Sequence, residues 1–123
     1  MKEIIAIIRP NKVEETKETL EKLGFPSITA HRVQGRGRQR GIAGEVQFNI
    51  SPELLAKGKS AGMKYVPKRL LHIIIPNDAV DPVVKAIIKV NQTAQIGDGK
   101  IFVCPVDTAV RIRTDEVGES AIK

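Results

Sequence analysis

The sequence predicts an α+β fold of the ferredoxin-like type: one antiparallel sheet carrying two helices on one face, with a long loop between the second and third strands. Three observations carry the prediction. Strand-like and helix-like segments follow one another as strand, helix, strand, strand, helix, strand. The two halves are of similar length with no Gly-rich linker dividing them, so one sheet can take all four strands. A chain of 123 residues has room for one core, and residues 1–123 are read as a single domain.

Each element has its own signature. Glu3 to Ile8 is a short isoleucine-rich run closed by Arg9-Pro10, the pattern of a strand buried on both faces or nearly so. Asn11 is placed to cap the next helix, with Glu14 three residues on. Glu18 and Lys22 are spaced to pair, and Gly24 stands where a left-handed cap ends a helix running from about Lys12 to Leu23. Ser27 to Val33 and Leu70 to Ile75 are the second and third strands, the latter ended by Pro76-Asn77. Val80, Val83, Val84, Ile87 and Ile88 recur at helical spacing, with Asp78 and Asp81 placed to cap the helix and complement its dipole, and Pro82 in the first turn, where a missing amide costs little. Ile101 to Cys104 is the fourth strand, and Val110 to Thr114 reads as a short extended piece. Because Ile73, Ile74 and Ile75 are consecutive, the sheet face away from the helices is too apolar to meet water, and oligomerisation is expected to cover it. The connection from about Gln34 to Pro67 is far longer than a hairpin loop, a length typical of functional or mobile loops.

Composition narrows the class. The hydrophobic fraction of 41% and charged fraction of 28% are those of a soluble globular protein. A lone Cys104 makes no internal disulfide, the opening MKEIIAIIRP does not have the form of a secretory signal, and no apolar run approaches the roughly 20 residues of a membrane span. A cytoplasmic protein without membrane insertion is expected. The net charge of +6 is concentrated between Gln34 and Arg69, in Arg36, Arg38, Arg40, Lys57, Lys59, Lys64, Lys68 and Arg69, so that segment should attract an anionic ligand or surface.

Three motifs bear on chemistry. Gly35-Arg36-Gly37-Arg38-Gln39-Arg40-Gly41 offers bare amides and guanidinium forks to phosphate oxygens, although a hinge or an RGG-like nucleic-acid patch looks similar. Its spacing is not the dinucleotide-binding G-x-G-x-x-G. Gly97-Asp98-Gly99-Lys100 resembles the end of a P-loop, but Ala94 and Ile101 stand where that motif needs Gly and Ser or Thr, so a P-loop NTPase is rejected; taken alone it is a tight turn. Arg111 and Arg113, two apart on an extended piece, project on one side and suit a polyphosphate or make an exposed cationic edge. His31 and His72 lie in strands, as core or interface residues rather than metal ligands, and nothing has zinc-site spacing.

With IIAIIRPNK, GRGRQRG, VPKRL, IPNDAVDPVV, VNQTAQIGDGKIFV and AVRIRT in view, the chain resembles the PII signal-transduction proteins, regulators of nitrogen metabolism, over nearly its whole length. The resemblance implies a homotrimer with ATP or ADP in the clefts between subunits, held by Gly35, Gly37, Arg38, Thr93, Gly97, Asp98, Gly99, Lys100, Arg111 and Arg113. It implies 2-oxoglutarate beside the phosphates, bound by Gln39, Arg40, Gly41 and Lys68, with Gln39 helping to hold Mg²⁺ through ATP and 2-oxoglutarate. A regulator and not an enzyme is expected, since no base or nucleophile set for turnover is evident.

The departures from the pattern are informative. The long connection runs through EVQFNISPELLAKGKSAGMKYVPK without the usual modified residue at its tip, Tyr65 being too near Lys68 to serve. Ala94 and Asp115 stand where the family commonly has glycine. The longer loop resembles the nitrogenase-associated branch of diazotrophic archaea, second paralogue. That implies binding and inhibition of dinitrogenase together with a sister paralogue, relieved by 2-oxoglutarate and Mg-ATP. Control of an ammonium transporter or of glutamine synthetase is the alternative. A nucleic-acid module is disfavoured because Phe25, Phe48, Tyr65 and Phe102 are too few and scattered to stack bases.

Overall fold

The computed structural model describes residues 1–37 and 64–123. Arg38, Gln39, Arg40, Gly41, Lys57 and Lys59 lie outside the described residues. Strands β1 (Lys2–Ile8), β2 (Thr29–Gly35), β3 (Val66–Ile75) and β4 (Lys100–Pro105) and helices α1 (Val13–Lys22) and α2 (Val80–Asn91) appear in the predicted sequence. The strands form one antiparallel sheet in the order β2-β3-β1-β4. This is the ferredoxin-like arrangement, in which the two central strands are the first and third in sequence.

β1 is paired on both sides, and its side chains alternate between the two faces. Ile4 stands opposite Ile73 and Val103, and Ala6 opposite Leu71 and Ile101. Ile4, Ala6, Ile8, Leu71, Ile73 and Ile75 are buried on this face against Leu20 of α1 and Val83 and Ile87 of α2. The helices meet over a buried polar contact: Asn91 Nδ2 donates to Thr16 Oγ1 at 3.0 Å and to the Ile87 carbonyl, while the Thr16 hydroxyl donates to the Lys12 carbonyl at 2.7 Å. The opposite face carries Glu3, Ile5, Ile7, His31, Leu70, His72, Ile74 and Phe102. Ile5 and Ile7 are only half-buried there and Phe102 is 47% exposed, so within one chain β1 is covered on one face, not both.

Both helices are entered the same way, through a Pro-Asn 3-10 turn, at Pro10–Lys12 and at Asn77–Ala79 after Pro76. These turns satisfy the entry backbone themselves, with Lys12 N–H donating to the Arg9 carbonyl and Ala79 N–H to the Pro76 carbonyl, both at 3.1 Å. The residues preceding the helices are therefore Lys12 and Ala79, neither with a side-chain cap. The expected caps at Asn11 and Asp78 do not form. The ion pairs on α1 are Glu14 with Lys17 and Lys12 with Glu15 in place of Glu18 with Lys22. Gly24 does end α1 in the left-handed region, at φ 94°, with its amide and that of Phe25 donating to the Glu21 and Leu20 carbonyls.

Strand ends also shift. β3 begins at Val66, four residues before the expected start, because Val66-Pro67-Lys68-Arg69 pair with Arg32-Val33-Gln34-Gly35 of β2. Lys68 is therefore a strand residue. The segment expected to be extended at Val110 to Thr114 is instead a turn: Val110 bridges Val117, and the Thr114 and Asp115 amides both donate to the Arg111 carbonyl. Asp115 takes φ 61° there. Arg111 and Arg113 consequently do not project from one side of a strand.

Candidate functional site

The sheet order decides where the site lies. In a β2-β3-β1-β4 antiparallel sheet, the C-terminal ends of β1 and β2 and the N-terminal ends of β3 and β4 fall on one edge. Gly35 pairs with Val66, Ile8 with Arg69, and Ile7 with Lys100 at that edge. The first glycine cluster leaves from β2 here and the second arrives at β4 here, so two segments more than fifty residues apart in sequence share one end of the molecule.

The turn from Thr93 to Gly99 is built around Asp98. The Thr93 and Ala94 amides donate to Asp98 Oδ2 at 2.7 and 3.0 Å, and the Thr93 hydroxyl donates to Oδ1. Arg9, one residue beyond β1, braces the same turn: Nη2 lies 3.5 Å from Asp98 Oδ1 and donates to the Ile96 carbonyl at 2.9 Å. Burial opposes ionisation of Asp98, but the Thr93 hydroxyl, the Thr93 and Ala94 amides and the Arg9 charge outweigh it and hold the carboxyl below its ordinary 3.8. Thr93 and Asp98 thus act on each other, shaping the turn.

Three residues in this turn have left-handed backbones: Ala94 at φ 66°, Gly97 at 103° and Gly99 at 108°. Gly99 lies so close against β1 that a Cβ would sit 1.8 Å from the Ile7 carbonyl oxygen. No other residue fits. Lys68 joins the two halves of the edge. Its side chain is largely buried, its Cγ lies 3.5 Å from the Cβ position at Gly35, and its Nζ donates to the Gly97 carbonyl. Lys100 stands exposed at the start of β4 and Gly37 exposed beyond β2. A cleft of about 450 Å³ between α2 and β4 opens beside this turn, walled by Val84, Ile87, Ile101 and Val103 with Asp98 and Lys100 among its lining. Its walls are apolar, so the groups suited to an anion lie at its rim.

The chain therefore brings together Gly35, Lys68, Thr93, Gly97, Asp98, Gly99 and Lys100. It does not bring in Arg111 and Arg113 by any side-chain bond. Arg111 Nη1 pairs with Glu116 at 3.0 Å and Nη2 donates to the Lys123 carbonyl, within a hairpin reached from the opposite end of β4, and Arg113 is exposed. Arg9 was missed in the sequence. Its signal was topological: in this strand order, the residue after the first strand abuts the turn before the fourth.

The profile described as "Nitrogen regulatory protein P-II" matches residues 1–116. The chain belongs to the P-II family. Among its relatives, the "Nitrogen fixation nifHD1 region GlnB-like protein 2" of Methanosarcina barkeri is 58% identical over the whole of both chains. A similarly named protein of Methanococcus maripaludis is 53% identical over 99% of this chain and 100% of its own. The structure of Arabidopsis thaliana PII bound to citrate superposes with a TM-score of 0.74 at 31% identity, covering 99% of this chain and 89% of that one. Ala94 and Asp115 are the two non-glycine residues with positive φ among those described, so each holds a backbone shape that glycine adopts without strain.

Ala94→Gly is expected to raise stability by up to about 1 kcal/mol by relieving the left-handed alanine, whereas Gly99→Ala should cost about 2–5 kcal/mol because its Cβ meets backbone. Denaturant unfolding measures both. The Asp98 pKa is lowered in the folded chain, so its contribution is complete above about pH 3.8 and is lost as pH falls through the lower folded value. The stability difference between wild type and Asp98→Asn should therefore be present at pH 7 and shrink as pH falls below 3.8, as read by unfolding at each pH.

Proposed function

We propose that this P-II family member is a nitrogen-status sensor. It binds ATP or ADP at the glycine-turn end of its sheet and 2-oxoglutarate with Mg²⁺ beside the phosphates. By direct contact it restrains nitrogenase, and 2-oxoglutarate with Mg-ATP releases it. The observation that carries the ligand half is the meeting of Lys68, Gly97, Gly99 and Lys100 at one edge: left-handed glycines beside two ammonium groups are the donor set a polyphosphate requires. The target half is supported by relatives named for nitrogen fixation regions, at 53–58% identity along the full chain.

The described residues fit the anionic ligands better than a metal on its own. The one carboxylate in the turn, Asp98, is taken up by Thr93, Ala94 and Arg9, so Mg²⁺ would be held through ATP and 2-oxoglutarate oxygens with Gln39. Bound there, the ion supplies charge that offsets desolvation of the dicarboxylate. Arg38, Arg40 and Gly41 complete the proposed set around Gln39.

Lys68 is the pivot. Its ammonium donates to the Gly97 carbonyl and, having three N–H donors, can also serve a dicarboxylate placed beside it. Occupancy would then couple the glycine turn to the start of β3 and so to the connection that precedes Val66. Such a ligand shifts the population of states only by its differential affinity for them. The apolar sheet face with Phe102 is the surface that further copies would cover, in a homotrimer or in a mixed assembly with a sister paralogue. Arg113, exposed on its hairpin, and Arg111, held there by Glu116, would serve a neighbour's phosphates. No turnover, nucleic-acid binding or membrane insertion is part of this function; among the described residues no helix is long and apolar enough to cross a membrane.

Calorimetric titration tests the reading. 2-Oxoglutarate should bind only with Mg-ATP present, and Lys68→Ala should weaken it at least tenfold while leaving ATP binding within a few fold. Equal binding without nucleotide, or none with it, defeats the sensor. If binding behaves as stated but purified nitrogenase is not inhibited by this chain with its sister paralogue, the target assignment falls and the ammonium transporter or glutamine synthetase takes its place.

A further inference from the structure

The hairpin beyond β4 carries an acid that its own closure does not require. Val110 bridges Val117, the Arg111 amide donates to the Glu116 carbonyl and the Gly118 amide to the Ala109 carbonyl, both at 2.9 Å, and the Asp115 amide donates to the Arg111 carbonyl at 2.8 Å. The backbone thus closes the hairpin by itself. The Glu116 side chain is nonetheless fixed, with Oε1 accepting from the Thr114 hydroxyl at 2.7 Å and from Arg111 Nη1 at 3.0 Å. Arg111 Nη2 donates to the Lys123 carbonyl, which the 3-10 turn Gly118–Ile122 carries back onto the guanidinium. Both terminal nitrogens of Arg111 are therefore tied to its own chain. Arg113, two residues on, is exposed and takes part in none of the ion pairs among the described residues.

We infer that Glu116 is a positioning residue for nucleotide binding: it fixes the plane of the Arg111 guanidinium, so that the N–H donors not spent on Glu116 and Lys123 meet the phosphates of ATP or ADP as an ordered fork. The role rests on the nucleotide reading of Arg111 proposed above. A free arginine samples many rotamers, and ordering one when a ligand arrives costs affinity; an arginine ordered beforehand by its own chain is spared that cost. The planar fork magnifies the benefit, because fixing two of its nitrogens sets the direction of every remaining N–H. Arg111 and Arg113 then act differently on the same hairpin. Arg111 is pre-ordered, while Arg113 is ordered only by the ligand. The carboxylate charge opposes a phosphate while the carboxylate geometry assists one, and the two are separable, since glutamine keeps an acceptor oxygen at the same reach and removes the charge.

Calorimetric titration of ATP into the full chain, in the assembly it forms, tests the role. Glu116→Ala should weaken ATP binding roughly three- to tenfold, while Glu116→Gln should bind within about twofold of wild type or more tightly. In a double-mutant cycle the loss from Glu116→Ala should vanish when Arg111→Ala is already present and persist in full beside Arg113→Ala. An acid that merely supported the hairpin would not divide the two arginines in this way. Tighter ATP binding in Glu116→Ala, an equal loss in the alanine and glutamine variants, or a loss that survives in the Arg111→Ala background would each overturn the inference. Should Glu116→Ala unfold, Thr114→Val, which frees the carboxylate and leaves Arg111 its partner, carries the same cycle, and a loss independent of Arg111 defeats the role. If wild type binds no ATP, the nucleotide reading fails and the role with it. Wild-type affinity in Arg111→Ala removes the role of Glu116 alone and leaves the rest of the proposed phosphate set standing.

Discussion

Pairing of β1 on both sides is the constraint from which the rest follows. β1 hydrogen-bonds to β3 and β4 along nearly its whole length, and its Ile4, Ala6 and Ile8 fill the helix-covered face. A central strand paired on both edges leaves no choice of register without turning its buried residues to the other face. Once β1 is set, the residue after it, Arg9, must lie at the entrance to β4, where it braces the Ile96–Asp98 turn. The approach of Gly99 to the Ile7 carbonyl is the same constraint seen from β4: the incoming chain runs hard against β1 backbone, and only a residue without a side chain passes.

The candidate site is thus assembled by the sheet and not by one motif. Gly35 ends β2, Lys68 rises from β3, and Gly97 to Lys100 lead into β4. None of the three segments would be recognised as a phosphate cradle in isolation, which is why each motif admits a bland reading in the sequence. Antiparallel order places their ends together, and Lys68 ties β3 to the turn through its bond to the Gly97 carbonyl. The Arg111 and Arg113 pair obeys a different logic. It hangs on a hairpin closed by Val110 and Val117, and the Glu116 contact holds Arg111 there.

The periodic signals were the legible ones. Val80 to Ile88 and the isoleucine-rich strands are long, regular and set by burial, so they read directly from spacing. The C-terminal cap at Gly24 read equally well, because a left-handed glycine after a helix has few alternatives. What could not be read was decided by competition between local options. Asn11 and Asp78 have side chains fit for capping, but a 3-10 turn, at Pro10 in one case and after Pro76 in the other, satisfied the backbone first. Val110 to Thr114 has the composition of a strand and lacks a neighbour to pair with beyond Val117. The place of Arg9 depends on cross-strand register, and single-chain spacing carries no record of which residues end up opposite.

Electrostatics at the glycine edge shows how an acidic residue shapes the turn before β4. Asp98 would repel a phosphate if its charge were turned outward. Its two oxygens instead accept from the Thr93 hydroxyl and from the Thr93 and Ala94 amides, with the Arg9 guanidinium alongside, so the charge is spent on shaping the turn. The arrangement needs Ala94 in a left-handed backbone to aim its amide inward. Strain at one alanine and ionisation of one carboxylate are therefore parts of a single device. Together they keep the turn folded at the end of the sheet where Lys68 and Lys100 stand.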